Sequence, residues 1–403
     1  MSRSCDAEVE HALSRLEHWH SVALNFKGVS VKPSLKIMRV KQQRFATCEK
    51  RLNATVNAAA AIRKMVGEAS CKLERRGPTG GFCVSKHRLR KGGNDCISPM
   101  LAANLVKHAF GNHSSVVDLG CGVGQYGEWF AKHAPSLRWT GFDGAEGIEE
   151  ATDGKVRFAD LTDGLPVDAR RRRFDWSLSL EVAEHIPRAG EAAFVHALAS
   201  AAHTGLVLSW AKPGQGGGGG GAKHVNCQKE QYVDCAMNLL GWRRDWRLQH
   251  LLLHHPDSTL PCHWLRYNIL PFKVDRAGGI KAALKGKDKV LRASDPIDVA
   301  RLRQLLQRPF SEAKFGQLYQ NLTLRLCPFS AYGSCDPPKR NATALALMRN
   351  RTRALLEEKG LCSGSGCDAL MLNRTKLAEA FRASSSQGRG HLWNQVKHGV
   401  RVR

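Results

Sequence analysis

Two short stretches of this chain carry side chains whose types and spacing suit chemistry. The first is Val116-Val117-Asp118-Leu119-Gly120-Cys121-Gly122-Val123-Gly124-Gln125-Tyr126-Gly127. An apolar run ends at Leu119, glycines alternate at Gly120, Gly122 and Gly124, and helix-forming residues follow. Glycines in such a turn let the backbone approach a ligand with no Cβ in the way. The N-terminus of the next helix brings N–H groups and the positive end of its dipole to the same spot. The spacing is GxGxG; a GxGxxG dinucleotide fingerprint would need a glycine where Gln125 stands. An acid, Asp118, lies two residues before the first glycine. The second stretch is Glu181-Val182-Ala183-Glu184-His185. Its i, i+3, i+4 spacing predicts two carboxylates and an imidazole on one face of a helical turn, where they would take up protons or hold a cation.

The glycine turn with its preceding acid resembles motif I of the class I S-adenosylmethionine-dependent methyltransferases, and the resemblance runs from about residue 80 to 275. Asp143, in Thr140-Gly-Phe-Asp143-Gly144, lies 19 residues past Gly124, where that family keeps an acid for the two ribose hydroxyls. A carboxylate suits this role because it accepts both O–H donors at once. Asp160, in Phe158-Ala-Asp160-Leu161, matches the acid that contacts the adenine amino group, and Phe174 to Pro187 looks like motif IV. The resemblance implies S-adenosyl-L-methionine as cofactor, held by Asp118, Gly120, Cys121, Gly122, Gly124, Tyr126, Asp143, Gly144, Asp160, Leu161 and Glu181. It implies a Rossmann-like, seven-stranded, mostly parallel α/β sheet with helices on both faces.

The Glu-Val-x-Glu-His pattern is similar to that of two metal-assisted groups, the ubiquinone-biosynthesis O-methyltransferases and the plant small-RNA 2′-O-methyltransferase. Carried over, this implies a Mg²⁺ site formed by Glu181, Glu184, His185 and His224. The other reading needs no metal: His185, with a reference pKa of about 6.5, serves as general base beside Glu184. No Asp/Asn-Pro-Pro-Tyr motif follows the fourth strand, which disfavours methylation of an exocyclic amine. The first expectation is therefore methyl transfer to an oxygen of a small molecule. The second is an RNA methyltransferase, and the third a binding protein that keeps the fold without turnover.

These residues need elements to position them. Apolar residues at helical spacing (Val9, Leu13, Leu16, Trp19) predict helices over 6–24 and 41–76, a helical extension ending near residue 79. A helix over 98–110 leads to Gly111. Strands at 116–119, 137–142, 156–158, 174–180 and 206–210 then alternate with helices at 125–133, 191–202 and 229–240, the pattern of a parallel sheet covered on both faces. Residues 242–253 and 265–274 read as two closing strands. Beyond 275, helices at 296–308 and 342–359 stand in a basic region of no legible role. The glycine run Gly216–Gly221 reads equally as a mobile lid or a tolerated surface tract.

The chain has 403 residues, 42% of them hydrophobic, and a formal net charge of +25. Wholesale disorder is excluded by that apolar content. Residues 111–255 are near neutral, with 15 Lys/Arg against 17 Asp/Glu, so the excess positive charge lies in the flanks. Basic flanks fit a polyanion such as RNA, or serve solubility alone. The Arg170–Arg173 run reads as a solvated connection. Neither the 13 cysteines nor the cluster His250, His254, His255, Cys262 and His263 has the spacing of a zinc motif, and Cys121 reads as a packing residue. No run is apolar and long enough to span a bilayer and no signal peptide is evident, which favours a cytoplasmic protein. Against this stand six Asn-X-Ser/Thr sequons, at Asn53, Asn112, Asn321, Asn341, Asn350 and Asn373, which point to the secretory lumen.

Overall fold

The computed structural model describes residues 2–25, 47–74, 83–84, 97–166, 169, 172–215, 224–253, 265, 268–275, 295–327, 335, 353, 357 and 362–363. Two compact units are defined, Met1–Asp336 and Pro337–Arg403. The expected helix at 342–359 lies almost wholly outside the described residues. So do the glycine run 216–221, Arg170, Arg171, His254, His255, Cys262 and His263.

The first unit opens with two long helices, α1 (Ser2–Asn25) and α2 (Cys48–Glu74). They pack side by side along a seam that buries Val9 with Leu52 and, further along both helices, Leu16, Trp19, Ile62 and Val66. Helix α3 (Pro99–Leu105) begins at Ser98, whose side chain accepts from the Leu101 N–H, with Pro99 in the first turn. It continues through a π-helical turn, Val106–Phe110, to Gly111.

The sheet follows: β1 (Ser115–Leu119), α4 (Gln125–His133), β2 (Arg138–Asp143), α5 (Ile148–Ala151), β3 (Val156–Phe158), β4 (Phe174–Ser179), α6 (Glu191–Ala201) and β5 (Ala202–Ser209). Next come α7 (Glu230–Leu239), β6 (Trp242–Arg244), α8 (Trp246–Leu253) and β7 (Ile269–Val274). The seven strands lie in the order β3-β2-β1-β4-β5-β7-β6, and β7 runs antiparallel to both of its neighbours. Alternate side chains enter opposite cores. Val117, Leu119, Leu206 and Leu208 face α6 and α7, while Val116, Leu178 and Val207 face α3, α4 and α8.

Two expectations are corrected. Residues 242–253 are not one strand: β6 stops at Arg244, and Asp245 starts α8 by accepting the Leu248 N–H at 3.0 Å. The unit that holds the sheet also extends past 275. Helices α9 (Asp295–Leu306) and α10 (Gln317–Leu326), joined through a π-helical turn at Glu312–Gly316, bury Val299, Leu302, Phe315, Tyr319 and Leu322 in the core that holds α6 and α7. Disulfides Cys235–Cys327 and Cys227–Cys335 fasten the same segment.

Candidate active site

The strand order reverses between β1 and β4, and in open α/β sheets ligands bind beyond the carboxyl ends of the strands at such a point. Both chemical stretches of the sequence leave the sheet there. The loops after β1 and β4 meet closely: a Cβ on Gly120 would fall 2.3 Å from a Val182 methyl carbon. Gly120, Gly122 and Gly124 all have positive φ, a region that favours glycine. Around Gly122 a Cβ would meet only the Gln125 Oε1, at 3.5 Å, so this glycine borders open space.

Asp143 ends β2 and turns toward that loop. Its Oδ2 accepts the Gly122 N–H at 2.7 Å and its Oδ1 the Ala145 N–H at 2.8 Å. Gly144 follows, facing Ala159. Asp118 is buried, accepts the Trp139 indole N–H at 3.2 Å, and has its pKa pushed up to about 7, chiefly by burial. Asp160 is also buried; its Oδ1 accepts from the Thr162 N–H at 2.9 Å and hydroxyl at 2.6 Å, and burial raises its pKa.

Three other residues expected at the cofactor have side chains engaged in packing. The Tyr126 ring sits in the core and its hydroxyl accepts the Ser98 N–H at 3.3 Å, joining α4 to α3. Leu161 is buried beneath the sheet. Cys121 packs beside Ala145, Ile148 and Val156, its thiol pushed up by burial and by the charges of Asp118 and Asp143.

The segment after β4 departs from the expected single face. Glu181 takes φ +58°, an uncommon conformation for a non-glycine residue, and the following single 3-10 turn is Ala183–His185. Ser209, at the end of β5, holds Glu181 there. Its Oγ accepts the Glu181 N–H at 2.6 Å and its hydroxyl donates to Oε1 at 2.8 Å. The second carboxylate of the expected metal set is thus turned toward β5. The remaining three, Glu184, His185 and His224, do come together, with one ligand atom from each within 4.8 Å of the others. The rings of His185 and His224 meet edge to face at 4.9 Å.

Glu184 is wholly buried, and its pKa is raised to about 8 by burial first and by the nearby Glu181 carboxylate second. Its Oε2 takes a long hydrogen bond from the Ala211 N–H at 3.4 Å, while Oε1 has no hydrogen-bond partner among the described residues. Burial lowers the pKa of His224. Two imidazoles and one carboxylate suit a borderline transition-metal ion; Mg²⁺ demands oxygen ligands, so the expectation of Mg²⁺ is not met by this donor set.

Sequence reasoning missed two parts of the site. Asn226 tethers the His224 segment: its side chain donates to Glu191 at 2.9 Å, and its carbonyl accepts the Trp210 indole N–H at 2.6 Å. The N–H groups of Val225 and Asn226 both donate to the Glu184 carbonyl, at 2.7 and 3.0 Å. The second is the Arg63–Glu146 pair, at 2.5 Å, which seats α2 beside the ends of β2 and β3, with the Arg63 guanidinium 3.4 Å from the centroid of the Phe158 ring. Spacing gives no signal for a pair 83 residues apart.

The strand order, the antiparallel β7 and the glycine turn at the reversal point define the class I methyltransferase fold. No protein-family model and no curated protein matches the chain. Among solved structures the chain is similar to the magnesium protoporphyrin IX methyltransferase of Synechocystis PCC 6803 with bound SAM. That likeness has 18% identity and a TM-score of 0.33 and covers 53% of this chain and 96% of that one. It is also similar to a TehB-like SAM-dependent methyltransferase of Corynebacterium glutamicum, at 20% identity and a TM-score of 0.25, over 33% of this chain and 69% of the other. PKMT2 of Rickettsia typhi in complex with AdoHcy is 18% identical with a TM-score of 0.24; 30% of this chain matches, and the match spans about a quarter (26%) of that protein.

Proposed function

We propose that the chain is an S-adenosylmethionine-dependent methyltransferase that moves the methyl group to an oxygen of a small molecule. The observation that carries this reading is Asp143, whose carboxylate ends β2 within 2.7 Å of the Gly122 N–H. Its oxygens accept the backbone N–H groups of Gly122 and Ala145, and a carboxylate at a strand end is the group type that can take both hydroxyls of a sugar. The open space at Gly122 allows close backbone approach beside them.

The cofactor, when bound, supplies a methyl group already activated on a sulfonium, so the protein's work is alignment and proton removal. His185, after β4, stands at the same end of the sheet as the glycine turn and is the group to accept the acceptor's proton. Neutral Glu184 and neutral His224 border it. A divalent cation held by Glu184, His185 and His224 would lower the pKa of an acceptor hydroxyl, and the orphaned Oε1 of Glu184 is compatible with such an ion.

Calorimetry tests the core of the reading. S-adenosylmethionine or S-adenosylhomocysteine binds the wild-type chain, and Asp143→Ala weakens binding by about 1.5–3 kcal/mol, roughly 10- to 100-fold. A wild-type chain that binds neither ligand removes the enzymatic reading. A labelled-methyl screen of metabolites and RNA then identifies the acceptor. The net charge of +25 keeps RNA as the second reading, and binding that weakens steeply with salt would favour it. Activity that survives chelation and a Glu184→Gln change leaves His185 as base and dismisses the metal.

A further inference from the structure

The fold explains neither the sequons nor the cysteines, and both gain meaning from where the structure puts them. Of the nine cysteines whose side chains are described, eight are in disulfides, and Cys121 in the glycine turn is the free one. Three bonds have both ends described. Cys71–Cys83 joins the end of α2 to the segment that pairs with Glu146; Cys227–Cys335 and Cys235–Cys327 close loops of 108 and 92 residues. Their Cα separations, 5.7, 5.2 and 5.5 Å, fall where a disulfide needs no backbone movement. Cytosolic thiol buffers keep such pairs reduced, whereas an oxidising compartment lets them form.

The sequons give an independent sign. Six occur in the sequence, and in the three that are described the acceptor asparagine is exposed. Asn53 lies on the outer side of α2, between residues whose neighbours Leu52 and Thr55 are buried. Asn321 projects from α10 while Leu322 and Thr323 beside it are buried. Asn112 lies in the turn before β1, at the end of the sheet opposite the glycine turn.

We propose that this protein matures in an oxidising, glycosylating compartment, with glycans on Asn53, Asn112 and Asn321 and disulfides at Cys71–Cys83, Cys227–Cys335 and Cys235–Cys327. Each disulfide forms by exchange with a disulfide oxidant: two thiols lose two protons and two electrons, and the oxidant becomes a dithiol. Each glycan comes from a diphosphate-linked oligosaccharide. A bond forms between the asparagine amide nitrogen and the anomeric carbon, the bond from that carbon to the diphosphate breaks, and the amide gives up one proton. The transfer acts on the unfolded chain, so later burial of Thr55 and Thr323 does not prevent it. Cofactor binding plays no part in this inference, and either can fail alone.

The test is to make the full chain in animal cells in two forms, one routed through the secretory pathway by an appended leader and one kept in the cytosol. In the secreted form, peptide N-glycosidase lowers the mass and converts Asn53, Asn112 and Asn321 to aspartate, and N53Q, N112Q and N321Q each remove one glycan. Alkylation of the denatured, unreduced chain labels Cys121 and spares the six paired cysteines. Reduction lowers the melting temperature by roughly 10 °C or more, given two loops of this length. The cytosolic form labels at all these cysteines and melts lower. Three unmodified asparagines, free thiols at the paired positions, a secreted chain retained as aggregate beside a soluble cytosolic one, or equal melting of the two forms would each overturn the proposal.

Discussion

Asp118 ends a buried strand as a carboxyl held mainly by the Trp139 indole, and its pKa of about 7 against an ordinary 3.8 makes it a stability switch. The folded state keeps the proton where the unfolded chain has lost it, so the fold loses stability as pH rises from about 4 to about 7. Some three pKa units correspond to roughly 4 kcal/mol. Asp118→Asn keeps the shape and removes this titration. Urea unfolding at pH 5 and pH 8 spans about two of those units, so wild type should lose roughly 2.7 kcal/mol more than the variant over that interval; parallel losses would put the titration elsewhere. The glycine turn and Asp143 were legible in the sequence because backbone freedom and an acid at a strand end are local demands. Glu181 was not legible, because its left-handed conformation depends on Ser209, 28 residues on. The arrangement at Arg63 depends on Glu146 and Phe158, which no local pattern links to it.

Elements bring the His224 side of the candidate site together through one buried network. Glu191, at the start of α6, accepts from Asn226, Tyr232 and Tyr319 and pairs with Arg188, so α6, α7, α10 and the His224 segment share one carboxylate. Asn226→Ala would strand the Glu191 oxygen and the Gln228 amide that now bond it. The expected loss of stability is about 1–3 kcal/mol. Because Asn226 also fixes the chain between His224 and Glu184, methyl transfer should fall further than cofactor affinity does. Rates with the identified acceptor, set beside calorimetry with S-adenosylhomocysteine, check this; an equal fall in both would reduce Asn226 to a packing role. At this scale the alternating strands and helices from 116 to 240 could be read from hydrophobic period alone. The start of α8 could not, since Trp246-Arg247-Leu248-Gln249 alternates apolar and polar residues as a strand does and only Asp245 marks the break.

For the molecule as a whole, the sequence's apparent boundary at 275 conceals a dependence of the sheet on α9 and α10. Their buried residues form a narrow stripe only, and they stand in a basic region, which is why it reads as featureless. Val299, Leu302, Leu306, Phe310, Phe315, Tyr319, Leu322 and Leu326 fill the core against α6 and α7. Arg303 also donates to the carbonyls of Asn238 and Leu239, satisfying the last turn of α7. At about 1.5–3 kcal/mol for each large apolar side chain, losing all eight matches or exceeds the roughly 5–15 kcal/mol that holds a typical domain together. A chain ending at 275 should therefore show no cooperative thermal transition and no affinity for S-adenosylhomocysteine. One ending at 336, after Cys335 closes its disulfide with Cys227, should melt and bind like the full protein, since Met1–Asp336 is a compact unit by itself. Circular dichroism melts with calorimetry on the two fragments decide it: a cooperative melt from the shorter one would show that α9 and α10 only decorate a sheet that stands without them.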